Sequence, residues 1–388
     1  MAGYAEPLTL TPDDHADPCS IALVQAWECS LPLRFPVDLG RIQYTTRDYA
    51  LLRLSTTDGR VGTAAGYTRG TPVLESVRRL APALLAGPVT PMSFQGPQRD
   101  NFAPGWPALV RAASLIDIAL WDVTAQLSGR SMAHVLGGRE RTAPTIAVAG
   151  FFAAQRDLDE LAAEAAGFVR AGATAEKLIM PGKDPGTDLE LLRAVRSALP
   201  SGVPVAVDFH AVFHTVDQAV EHCRPLFDLG LLFIEDPFAS WDWHRVTEFA
   251  MRCPVPVASG EDLPFVGMLE DLVAGGVQVL RVDATASGGY TSLLPILRRA
   301  TDLGVQVIPH VWPELHSPLA SVSDAVSLIE YIAPEVGAEL LHQLMAAAPR
   351  DTDAAAAAPG RGLDLDLDAV ERAATARWQS AGRGEGNG

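Results

Sequence analysis

The sequence predicts an α/β protein built around a closed barrel of parallel strands, preceded by a smaller α+β unit. After Pro144, eight short apolar runs recur (TIAVAG, AEKLIM, VPVAVD, GLLFIE, VPVASGE, VQVLRVD, VQVIPH and VSLIE), separated by amphipathic stretches such as DLELLRAVRSALP. Near-continuous apolar strands alternating with helices belong to a parallel sheet covered on both faces. Eight such units favour a closed barrel over an open doubly wound sheet. The open sheet would also want a Gly-rich phosphate loop after its first strand, and GFFAAQ is not one.

In chain order, residues 1–20 show little periodicity and read as a frayed lead-in. IALVQAWEC and DYALLRLSTTDGRVGTAAGY are strand-like, with a Thr-Asp-Gly turn between two apolar runs. From about residue 71 to 138 the spacing is helical, and ALVRAASLIDIALWDVTAQLSG ends on the glycine that commonly stops a helix. Beyond the eight runs, DTDAAAAAPGRG (351–362) reads as a linker. GLDLDLDAVERAATARW reads as a strand-like piece followed by a short helix, and SAGRGEGNG as a disordered tail.

Composition narrows the function. A net charge of −17 argues against nucleic acid and against an anionic membrane surface, since both require clustered basic residues. No uncharged apolar stretch of 18 or more residues is present, so no membrane span is expected, and the first residues lack the pattern of a signal peptide. Four scattered cysteines (Cys19, Cys29, Cys223, Cys253) fit a reducing cytoplasm. Of 30 basic residues only Lys177 and Lys183 are lysines, so a mechanism that needs a lysine base has two candidates.

The chemistry sits at the ends of the runs. Lys177, Asp208, Glu235, Glu261, Asp283, His310 and Glu330 follow one another at spacings of 31, 27, 26, 22, 27 and 20 residues, each about one strand–helix unit. Any one alone reads as a helix N-cap or a solvated loop residue. Seven in succession converge on one rim, because the carboxyl ends of parallel barrel strands share a mouth. Asp208, Glu235 and Glu261 are hard oxygen donors that suit Mg²⁺, and three close carboxylates call for a divalent cation. Their neighbours Asp236 and Asp262 are one step off the strand period and are expected to point elsewhere.

These motifs carry a resemblance. SLIDIALWDVTAQLSGRSMAHVLGG, then VDFH, FIEDP, ASGED, VDATASGG, PH and SLIE in order, and finally PGRGLDLD, resemble the enolase superfamily in its mandelate racemase/muconate lactonizing enzyme-like branch. The match covers about residues 21 to 375. It implies a modified TIM barrel, (β/α)7β, over residues 141–350, with an N-terminal α+β capping domain over 1–140. Residues 351–388 would then return to the cap. It also implies Mg²⁺ on Asp208, Glu235 and Glu261, gripping a substrate carboxylate and stabilising the enediolate formed when a base removes the α-proton. Asp283 and His310 would form the base dyad, and Glu330 would hydrogen-bond the substrate carboxylate.

Two departures narrow the reaction. The family often has Lys-x-Lys on the second barrel strand, whereas this chain has Lys177-Leu178-Ile179. Isoleucine cannot move a proton, and Lys183 falls in the turn PGKDPG, so one of a racemase's two bases is missing. Lys177 remains placed to contact the substrate carboxylate or a metal-side oxygen. The second departure is His210, where Asn is common. A subset of acid-sugar dehydratases in the superfamily carries Asp-x-His there, with the histidine as general acid to the leaving hydroxyl. Together these imply dehydration of an aldonic or aldaric acid to a 2-keto-3-deoxy acid, with His310 as base and His210 as acid. The rivals are a racemase or epimerase, and a barrel that binds metal and carboxylate without turnover. The partner expected is a small carboxylate, with a homo-oligomer as assembly. Arg34, Arg41, Tyr44, Arg47, Tyr67 and Arg69 are cap residues that could close over the mouth, and Trp312 and His316 follow the His310 strand.

Overall fold

A computed structural model describes residues 17–39, 42–101, 103–139, 141–346, 360 and 363–381. The first described elements are three antiparallel strands, β1 (Ile21–Leu39), β2 (Ile42–Thr56) and β3 (Val61–Tyr67). Partners such as Val24 and Leu54, or Ala26 and Leu52, are buried together on one face. Two helices cover that face, α1 (Val73–Leu85) and α3 (Trp106–Ser128), and α2 (Pro91–Asn101) packs against α3. α3 is apolar on nearly every side and is buried through most of its length, as expected of a helix wedged between two layers. It stops at Gly129, whose φ of +65° allows the left-handed turn that caps a helix.

The eight apolar runs form eight parallel strands: β4 (Thr145–Ala149), β5 (Ala175–Ile179), β6 (Val205–Asp208), β7 (Ile234–Glu235), β8 (Val257–Ser259), β9 (Val279–Leu280), β10 (Gln306–Val307) and β11 (Ile329–Tyr331). The sheet runs β10-β9-β8-β7-β6-β5-β4-β11, and a parallel bridge from Val307 to Val326, just ahead of β11, joins its two ends. Ile146, Ala175, Ala206, Phe233, Ala258, Val279 and Ile308 form a small separate core within this TIM-like barrel. The main core lies between strands, surrounding helices and cap.

The C-terminal segment starts as expected: Leu365 bridges antiparallel to Met345, and a short helix, Leu367–Ala373, follows, its N-terminus capped by the Asp366 carboxylate, which accepts from Ala369 N. It then departs from expectation, because a strand takes up the last residues and the start of the expected tail. β12 (Ala374–Ala381) follows and pairs antiparallel with β1, completing the four-stranded cap sheet β12-β1-β2-β3. ERAATARW has local helix propensity, but the open edge of β1 decides the outcome for its second half. At the other end, Cys19 belongs to no frayed lead-in, because its backbone pairs with Val89. Residues 1–16, all of the expected linker except Gly360, and residues 382–388 of the expected tail lie outside the described residues.

Cap and barrel meet at the helix Gly289–Ala300. The buried Asp117 of α3 accepts from Thr291 N at 3.1 Å, and Ser114 Oγ accepts from Gly288 N at 2.8 Å. Gly289 has a φ of +77°, and a Cβ there would lie 2.2 Å from Asp117 Oδ2. Gly289→Ala is therefore expected to lower stability by about 3 kcal/mol, from left-handed strain and overpacking together. Urea unfolding measures this, and a loss under 1 kcal/mol would mean that the interface gives way easily.

Candidate active site

The parallel register brings the expected residues to one mouth. Ile179 on β5 is level with Asp208 on β6, and Asp208 with Glu235 on β7. Glu261 follows β8 across Gly260, whose φ is +129° and whose hydrogen faces Leu269 where a Cβ would clash. Asp283 and His310 follow β9 and β10, and His310 N donates to Val282 O. Glu330 lies within β11.

At the centre, Lys177 Nζ reaches three carboxylates: Asp208 Oδ2 at 3.0 Å, Glu235 Oε1 at 3.0 Å and Glu330 Oε2 at 2.7 Å. A second buried cation lies beside it. Arg281 donates from Nε to Glu235 Oε1 at 2.9 Å, from Nη1 to Ile308 O at 2.7 Å and from Nη2 to Glu330. Burial disfavours the Lys177 ammonium, but Glu235, Glu330 and Asp208 outweigh it and keep the lysine charged. Burial likewise works against the Glu330 carboxylate, yet Arg281 and Lys177 hold its pKa down to about 2. Glu330, expected at a substrate carboxylate, is thus engaged on both oxygens, since Oε1 accepts from Val311 N. Lys177 and Arg281 make it an acceptor.

The carboxylates form a cluster of different membership from the one expected. Glu235, Asp236 and Glu261 each offer a ligand oxygen within 4.8 Å of the others. Asp236 does not point away, because its φ of +38° breaks the two-residue alternation where β7 ends. Ser259 Oγ donates to it at 2.6 Å. Asp262 does turn away, to the cap cations Arg111 and Arg69. Asp208 stands outside this group, against Lys177 and His210. Burial, then the charges of Glu261, Glu235 and Asp208, push the Asp236 carboxyl well above the usual range. Glu235 Oε2 is buried and has no hydrogen-bond partner among the described residues. An all-oxygen donor set with an orphaned carboxylate oxygen fits a hard divalent cation such as Mg²⁺.

Two histidines line the cavity beside these carboxylates. His310 Nδ1 lies 3.0 Å from Asp283 Oδ2, and Nε2 is 3.3 Å from Glu261 Oε2. Burial opposes the imidazolium, but Glu261 and the hydrogen bond to Asp283 raise His310 above the ordinary histidine value. Asp283 is held down to about 2 despite its burial, chiefly by His310 and then His316. An ionised Asp283 fixes the proton on His310 Nδ1 and leaves Nε2 for chemistry. His210 has a φ of +46° and sits 3.4 Å from Asp208 Oδ2 through Nε2. Its Nδ1 lies 3.3 Å from Asp38 O in the β1–β2 hairpin, so the cap reaches the barrel histidine directly.

Ile179 lines the same cavity as these histidines, and no lysine takes its place: Lys183 is exposed and 3.5 Å from Asp38. A second chamber of ≈ 140 Å³ opens beside this cavity and shares Phe151, Ile179 and His210 with it. From the cap, Arg47, Tyr67 and Arg69 line the cavity, whereas Arg34 is exposed on Phe35, and Tyr44 lies in a neighbouring hollow. Arg41 lies outside the described residues. His316 is wholly buried: Nδ1 donates to Val311 O, and Nε2 accepts from Ala284 N, tying the Asp283 and His310 loops together. Trp312 is buried behind Tyr67. Sequence reasoning missed Arg281, although it stands two residues before Asp283 and so shares its face.

Comparison with known proteins agrees with this geometry. Residues 160–370 match the enolase C-terminal domain-like family, and residues 22–137 the mandelate racemase/muconate lactonizing enzyme N-terminal domain. Arabinonate dehydratase of Saccharolobus solfataricus is 28% identical over 203 residues, covering 52% of this chain and 54% of that protein. D-galactarolactone cycloisomerase of Agrobacterium fabrum is 32% identical over 206 residues, covering 52% and 53%. The chain thus spans about half the length of these curated relatives. A crystal structure of L-talarate dehydratase from Polaromonas sp. JS666, complexed with Mg and L-glucarate, superposes with a TM-score of 0.80 at 25% identity, over 94% of this chain and 100% of that one.

Proposed function

This chain belongs to the mandelate racemase/muconate lactonizing enzyme family of the enolase superfamily, and from that membership we propose that it dehydrates a sugar acid to a 2-keto-3-deoxy acid with Mg²⁺. The observation that carries the reading is the pair of unlike histidines, His310 on Asp283 and His210 on Asp208, facing one cavity in which Ile179 replaces a second base. The dehydratase relatives, and the Mg and L-glucarate in the Polaromonas structure, support it.

Glu235 and Glu261 would hold the Mg²⁺ with Asp236 beside them, and Asp208, the third expected ligand, would join them by giving up its contact with Lys177 or His210. When bound, the ion supplies positive charge against the substrate carboxylate and the negative charge that develops there. Lys177 adds a fixed charge on the same side. His310 Nε2 takes the C2 proton, and the electrons of that C–H bond form the enediolate. As the C3–O bond breaks, the proton on His210 goes to the departing hydroxyl, which leaves as water. The enol then tautomerises to the 2-keto acid.

The test is to incubate the protein with Mg²⁺ and a panel of aldonic and aldaric acids and to assay 2-keto acid. Product is expected with at least one acid. In His210→Asn it should fall about 100-fold while C2–H exchange with D₂O continues, because the base remains. Exchange with configurational inversion and no keto acid in the native protein would favour an epimerase. Neither product nor exchange across the panel would favour a binding protein.

A further inference from the structure

The cavity contains a cation that dehydration does not use. Arg47, on β2 of the cap, is buried and lines the cavity together with Tyr67, His310 and Glu330. Its Nε is anchored by donation to Ala338 O at 2.6 Å. Its two terminal nitrogens have no hydrogen-bond partner among the described residues, and no described carboxylate comes within 4.0 Å of them. Glu339, adjacent to that anchor, is taken up by the Tyr49 and Tyr67 hydroxyls and by Leu341 N. Arg69 stacks on the same Tyr67 ring but is already paired, with Glu261 at 3.2 Å and Asp262 at 3.8 Å.

The guanidinium carbon of Arg47 is 5.3 Å from the Tyr67 centroid, and that centroid is 6.2 Å from the His310 ring. The guanidinium head therefore lies over the Tyr67 ring, which in turn neighbours the base, on the cap side of the cavity. A largely buried cation with no carboxylate partner favours an anion beside it, and a guanidinium matches a carboxylate in bidentate fashion. The substrate's reacting carboxylate belongs at the other end, with Lys177 and the acidic cluster. We infer that Arg47 receives a second carboxylate at the far end of the substrate, so that the enzyme prefers aldaric acids, which carry two carboxylates, to aldonic acids. This rests on the dehydratase reading above.

The experiment uses aldonate–aldarate pairs of matched stereochemistry with the Mg²⁺-loaded protein. The aldarate is expected to have a kcat/KM about 100-fold or more above its aldonate, as for a site built around a polar group that the analogue lacks. Arg47→Met should bring that ratio to within about 10-fold, mainly through KM, and Arg47→Lys should restore part of it. Equal or better turnover of aldonates by the native protein, or an unchanged ratio in Arg47→Met, would overturn the inference while leaving dehydration intact. If no acid yields keto acid, dehydration itself fails. Calorimetric titration of His310→Asn with the same pairs then decides: tighter aldarate binding that Arg47→Met removes supports the second carboxylate site, and equal binding refutes it.

Discussion

His310→Asn should lower 2-keto acid formation by about 10³-fold and abolish exchange of the C2 proton with solvent. The argument is one of proton location. Asp283 is ionised, with its Oδ1 accepting from Thr285 N and Oγ1 and its Oδ2 facing His310 Nδ1. The imidazole therefore keeps its proton on Nδ1 and presents Nε2 as a base. Asparagine can still donate to Asp283 but has no basic nitrogen. Steady-state assay of keto acid and NMR of the C2 proton in D₂O provide the two readouts. A variant that keeps more than a tenth of native turnover would place the base elsewhere.

The second large effect concerns stability. Arg281→Met should destabilise the fold by about 3–5 kcal/mol, because it removes one partner of a buried charge network and leaves the others. Glu235 and Glu330 would then share Lys177 alone, and the Ile308 carbonyl would lose its donor. Arg281→Lys, which keeps a charge but not the three-way geometry, should lie between the two. Urea unfolding of both variants measures the effect, and a loss below 1 kcal/mol for Arg281→Met would show that Lys177 suffices.

The barrel was legible because a strand buried on both faces must be apolar throughout, so each of the eight runs marked a strand without help from the rest of the chain. The rim was legible because one strand–helix unit separates its members, from Lys177 to Glu330. What stayed hidden depended on backbone detail or distant pairing. Asp236 joins the acidic cluster through a left-handed turn at the end of β7, where period-two reasoning no longer applies. Arg281 was lost among the arginines of an Arg-rich chain, although its position relative to Asp283 carried the signal. β12 exists because Leu23 through Cys29 offer an edge to residues 374–381, a pairing that no local pattern announces.

That last pairing also orders events during synthesis. β1 leaves the ribosome ahead of every barrel strand, yet its neighbour β12 emerges only after all of them. Throughout that interval the nascent chain exposes an unpaired edge beside apolar residues, the kind of surface on which chains associate wrongly. The barrel can form ahead of its lid, and the lid closes last.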